Sequence, residues 1–121
     1  MNAQDIRNEI EHMGQMPGLD GCALVEIEAG MVWHAAGHID DVQFVAEAAS
    51  DYWRLYRRLN QHFAKLGDLR ACVMMHVRGR ITLLPFGTGM LLVTVTRQGR
   101  DVDWDEWQRR THKLAAMVNE L

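Results

Sequence analysis

The spacing of hydrophobic residues changes period repeatedly along the chain. In residues 2–15, Ile6, Ile10 and Met13 recur at helical spacing, with Asn2 placed to cap the first turn. Gly14, Pro17 and Gly18 end that helix. The period then falls to two. Residues 22–28 set Ala23, Val25 and Ile27 on one face, and residues 31–36 return after the tight Ala29-Gly30 turn, as in a hairpin. Gly37 stops the second strand.

Residues 40–66 carry the strongest helical pattern. Asp40 and Asp41 suit the positive N-terminal end of a helix, and Gly67 stands where a C-terminal cap is needed. The main stripe, expected to face the core, runs through Val45, Ala49, Tyr52, Tyr56, Leu59 and Phe63. Val42, Ala46, Trp53 and Ala64 widen it on one flank and Phe44 on the other, to roughly 200° at about 100° per residue. A single core contact needs only a little over 100°. The surplus, with Trp53 beside the small Ala46, is expected to receive a partner helix.

A second hairpin follows, residues 71–77 and 80–86 around Arg78-Gly79, with Pro85 expected at the strand's end. Residues 90–97 form a further strand after Gly87-Thr88-Gly89. Its Leu91-Leu92-Val93 is apolar on both faces, as in a central strand covered on both sides. The inward strand residues are read as Ala23, Val25, Ile27, Val73, Met75, Leu91 and Val93. The last helix begins near Asp103, with Glu106 three residues on. Trp104, Trp107, Thr111, Leu114, Val118 and Leu121 then repeat by threes and fours, and the two tryptophans are read as core anchors. The order α-β-β-α-β-β-β-α predicts an α/β fold of the α+β type.

Composition narrows the function. A chain of 121 residues, 48% hydrophobic and 24% charged, is read as one folded domain over 1–121. A net charge of -3 argues against a general nucleic-acid binder. No apolar run reaches the roughly 18 residues of a membrane span, and the start shows no signal-peptide core, so a cytoplasmic protein is expected. Two cysteines, Cys22 and Cys72, are too few for a disulfide framework.

Candidate chemistry is sparse. Cys72 and His76 share a strand face but stand roughly 13 Å apart, too far for one zinc ion. His34 and His38 have no second pair of ligands beside them. Gly87-Thr88-Gly89 lies between two strands, where a dinucleotide fingerprint needs a strand and a helix. Ser50 sits within a helix. The carboxylates Glu26 and Glu28 point to one face of a strand near a turn, and Asp101, Asp103, Asp105 and Glu106 read as helix capping. No group unites a nucleophile, a base and a charge stabiliser, so no catalytic residue, metal or cofactor is expected. Arg54, Arg57 and Arg58 cluster on the polar side of the long helix. They are either a solvated surface or a landing strip for an acidic partner, such as an arginine offered to a nucleotide site.

One stretch opens the first hairpin with Gly18, Gly21, Ala23 to Val25 and Gly30; the long helix carries Ala46, Ala48 and Ala49; and a later strand reads Gly89-Met90-Leu91-Leu92-Val93. In this combination the chain resembles the roadblock/dynein light chain family. The resemblance implies a five-stranded antiparallel sheet of order 2-1-5-4-3, the long helix on one face and the terminal helices on the other. It also implies homo- or heterodimers that serve as scaffolds or regulate small Ras-like GTPases. In that order the third strand is an edge. Its Ala71-Cys72-Val73-Met74-Met75 carries no Lys or Pro, and such an edge invites pairing with a second copy. The expected dimer interface is Val42, Ala46, Ala49, Trp53 and Tyr56 with Ala71, Val73 and Met75, and the expected partner surface is Arg54, Arg57 and Arg58. A non-catalytic dimeric adaptor for a small GTPase or another cytoplasmic protein is the function expected. The alternative is a small-molecule-sensing module, which needs polar groups converging on an apolar cleft.

Overall fold

The computed structural model describes residues 2–87, 89–97 and 101–120; Thr88 of the glycine loop and Leu121 of the last helical repeat lie outside them. Helix α1 (Ala3–Gly14) starts at a full capping box. The Asn2 side chain accepts from the Asp5 N–H at 3.0 Å, and the Asp5 carboxylate accepts from the Asn2 N–H at 3.1 Å. Strands β1 (Leu19–Glu26) and β2 (Met31–Gly37) follow, then helix α2 (Val42–Leu59). After a 3-10 segment come β3 (Cys72–His76), β4 (Gly79–Phe86) and β5 (Met90–Arg97), and helix α3 (Trp104–Asn119) closes the order. The five strands form one antiparallel sheet, β2-β1-β5-β4-β3.

Alternation on the strands divides the core in two. Cys22, Leu24, Met90 and Leu92 face α1 and α3, packing on Ile6, Ile10, Met13, Leu114 and Val118. Ala23, Val25, Leu83, Leu91 and Val93 face α2 and meet Val42, Ala46, Ala49 and Trp53. Strand β5 therefore buries successive residues on both faces, as its unbroken apolar run requires.

Two buried carboxylates tie distant segments together. Asp20 sits where the β1–β5 register shifts; its carboxylate accepts from the Arg97 backbone N–H at 2.5 Å and from Arg97 Nε at 2.9 Å. Its backbone oxygen accepts from the His38 and Ile39 N–H groups. Glu9 of α1 is also buried and meets Arg110 at 3.2 Å and Lys113 at 3.4 Å on α3. Gly37, at φ +141, closes this corner, since a Cβ there would collide with the Asp20 carbonyl oxygen.

Several sequence expectations are corrected. The helix predicted over 40–66 is α-helical only to Leu59, and Asn60–Leu66 tightens into 3-10 turns with no buried residue. Past Leu59 no packed face holds the α register, and short 3-10 pieces are common where helices end. Asp41 is the N-cap but makes no side-chain capping bond. Strand β1 begins at Leu19, three residues earlier than its alternation suggests. Pro85 does fall at the end of its strand, one residue before β4 stops and past the last β3 pair at Leu83, where β4 is itself an edge and tolerates a missing N–H. Val73 and Met75 point outward, because β3 is the edge strand and they lie on the α3 side beyond that helix's cover. Trp107 is buried, whereas Trp104 is 39% exposed with Arg80 lying 4.5 Å over its ring.

The cysteines lie on opposite faces of the sheet and both are free. Burial pushes the Cys22 thiol up to about 12, and its S–H donates to the Ile10 carbonyl at 3.5 Å. Because the thiolate is the reactive form, alkylation of the native protein at mild pH should modify Cys72 alone. Mass spectrometry should find one label per chain, and two only after denaturation; equal labelling of both would contradict this packing.

Candidate interaction surface

Helix α2 lies on the sheet through a face that is small over its first turns and closes on one large side chain. Val42, Ala46 and Ala49 allow close approach, and Trp53 fills the space at the C-terminal end. This reverses the orientation predicted for the helix. The sequence reading puts Val42, Ala46, Ala49 and Trp53 at a dimer interface, yet each is buried against the protomer's own sheet. The reason is steric: the surface that brings a helix axis closest to a sheet is the one lined with alanine, not the one lined with tyrosine.

The opposite side of α2 is consequently apolar and open. Phe44, Ala48, Tyr52, Leu55 and Leu59 are exposed. At about 100° per residue they fall within roughly 80° of one another, a continuous stripe along the helix. Phe44 is 69% exposed and Tyr52 59%. Tyr56, half-buried between stripe and core, stacks on Phe63 of the 3-10 segment with ring centroids 5.2 Å apart. Large contiguous apolar patches are uncommon on monomeric proteins and mark contact surfaces. An apolar arc of roughly 200° does not itself show which half of the helix is free. The distinguishing signal is the pair Ala46 and Ala49 on one side of the arc against Phe44 and Tyr52 on the other.

The edge of the sheet supplies a second open element. Strand β3 pairs only with β4, leaving its other backbone edge without a partner strand among the described residues. Ala71 just before it and Val73, Met75 and Val77 along or after it are exposed, and neither Lys nor Pro guards it.

The arginine cluster occupies the polar side of the same helix. Arg54 donates to the Ile27 carbonyl and to Ser50 Oγ, each at 3.0 Å, and pairs with Asp51. Arg57 meets Glu28 at 3.1 Å. Both therefore tie α2 to the first hairpin. Arg58 alone of the three makes no ion pair among the described residues. With Glu28, Asp51 and Asn60 the three arginines line an open hollow of about 650 Å3.

Candidate catalytic and metal residues are scattered. His34 lies under α1, where burial first and then Arg7 hold its pKa below the ordinary histidine value. Cys72 packs toward α2, and no group of three His, Cys, Asp or Glu among the described residues is placed to hold a metal ion. No described helix is long and apolar enough to cross a membrane.

No family model and no curated protein matches the chain. Solved structures do. A Roadblock/LC7 domain from Streptomyces avermitilis aligns with TM-score 0.72 at 19% identity, over 95% of this chain and 92% of that one. The gliding protein MglB from Thermus thermophilus aligns with TM-score 0.77 at 15% identity, over 100% and 94%. An MglB structure described as having a tetrameric arrangement aligns with TM-score 0.71 at 14% identity, over 93% and 84%. The chain has the roadblock fold.

Proposed function

We propose that the chain, acting as one domain over residues 1–121, is a non-catalytic homodimeric adaptor of the cytoplasm that holds or regulates a small Ras-like GTPase. The observation that carries this reading is the open apolar stripe of α2 on the same molecule as an unguarded β3 edge. A second copy related by two-fold symmetry would cover both at once. The interface proposed is Phe44, Tyr52, Leu55, Tyr56 and Leu59 with Ala71, Val73 and Met75. A neighbour of the same fold with a tetrameric arrangement supports self-association as a use of this scaffold.

The GTPase is proposed to meet the polar side of α2. Arg54 and Arg57 are partly neutralised by Asp51 and Glu28, so Arg58 is the charge offered to an acidic partner. Exposed basic residues steer association and make it salt-sensitive. Capture from native cytoplasm with GTP- or GDP-analogue loading should identify the partner. Replacing Arg54, Arg57 and Arg58 with Glu should then slow association severalfold at low salt, measured by stopped flow. Arg58→Glu alone should give part of that effect without disturbing the ties to Ile27 and Glu28. An unchanged rate in both variants removes the cluster from the partner surface.

A further inference from the structure

The far end of α2 carries a different surface. Where the β3–β4 hairpin and the end of β5 meet the first turn of α2, a groove of about 460 Å3 has an apolar floor of Val45, Ile81 and Val95. Each of these is half-buried, so the floor is apolar and still reachable. His76, Arg78 and Arg97 stand around it, and no acidic residue among the described ones lines it. Of these, Arg97 alone has an acidic partner among the described residues, Asp20, which is buried within the sheet. Arg78, in the hairpin turn, pairs with no acidic residue among those described. Arg80 is turned to the opposite face of the sheet, over Trp104.

The contrast with the other end of the helix is one of charge balance. There Glu28 and Asp51 stand among the three arginines. Here no acidic residue among the described ones lines the groove; Arg97 is answered from beneath by the buried Asp20, and Arg78 is the cation left without an acidic partner among the described residues. An apolar floor with convergent cations selects a ligand that joins an aliphatic group to carboxylates.

We propose that this groove binds an acidic peptide segment of a partner protein. The segment seats an aliphatic side chain on Val45, Ile81 and Val95 and sets its carboxylates against Arg78 and Arg97. This site is separate from the arginine cluster of α2 and does not depend on the identity of any GTPase.

The test uses the full chain, isotope-labelled, titrated with a synthetic peptide of alternating Glu and Leu. Backbone shifts are expected at Val45, Arg78, Ile81 and Val95, and binding should weaken with added salt. Replacing every Glu of the peptide with Gln should raise Kd at least tenfold, and so should Arg78→Glu, an exposed turn substitution whose thermal melt should match wild type. Val45→Lys provides a second variant against the floor and should likewise weaken binding. The proposal is overturned by absence of binding, by shifts confined to the Arg54–Arg58 end, or by an unchanged Kd in Arg78→Glu. Sedimentation with phosphatidylserine vesicles is measured in parallel. Arg78-dependent vesicle binding without peptide binding would make the groove a membrane contact and overturn the peptide reading.

Discussion

Leu55→Glu should halve the mass of the particle in solution. Light scattering of the wild-type chain at micromolar concentration is expected to give twice 13.9 kDa, and the variant the single value. The size of the effect follows from symmetry. In a two-fold interface each substitution acts twice, and burying one leucine is worth about 1.5–3 kcal/mol. Losing two therefore removes about 3–6 kcal/mol before the cost of desolvating two carboxylates is counted. That corresponds to about a hundredfold weaker association or more. Val73→Pro tests the strand half of the same interface, because proline strips an N–H from the edge and obstructs strand pairing. It too should yield monomers, with circular dichroism showing that the fold is retained. A wild-type chain that stays at 13.9 kDa up to high micromolar concentration would refute the dimer and leave the α2 stripe without an occupant.

Most of the fold was legible because local periods and long-range packing agree. The apolar run of Leu91-Leu92-Val93 announced a central strand, and β5 does stand at the middle of the sheet. Asn2 announced a cap that is formed by a reciprocal pair of hydrogen bonds. The strand order came from resemblance, since hairpin signals fix which strands are joined but not which join across helices. What stayed hidden depends on partners far away in sequence. Asp20 is buried because Arg97, 77 positions on, meets it, and Glu9 because Arg110, 101 positions on, does so. Neither pairing leaves a periodic trace. The free surface of α2 was hidden for a different reason. An apolar arc of roughly 200° gives a helix two ways to lie on a sheet, and periodicity weighs both equally. Side-chain size decides between them, and Ala46 and Ala49 turn inward because they let the backbone come close.

That choice of face can be measured at two adjacent residues. Trp53 is 5% exposed and packs with Val25, Leu91 and Val93 in the α2-side core, whereas Tyr52 is 59% exposed. Truncating a buried tryptophan typically costs about 3–5 kcal/mol, from lost transfer energy and the cavity left behind. Against a total stability of about 5–15 kcal/mol, this is enough to bring a small domain close to unfolding. Trp53→Ala should therefore lower the denaturant midpoint sharply, or leave the chain unfolded at ordinary temperature. Tyr52→Ala should change stability by no more than about 0.5 kcal/mol, the range of surface substitutions. Both are to be made in the Leu55→Glu background, so that loss of a partner copy does not enter the comparison. A second pair repeats the test with added volume. Ala46→Leu overfills a fully buried position and should cost about 1–3 kcal/mol, while Ala48→Leu on the open side should cost almost nothing. If the helix lay as the width of its stripe first suggested, with Tyr52 inward and Trp53 outward, the large loss would fall on Tyr52→Ala. A small effect of Trp53→Ala together with a large effect of Tyr52→Ala would overturn the orientation of α2, and with it the proposed dimer interface.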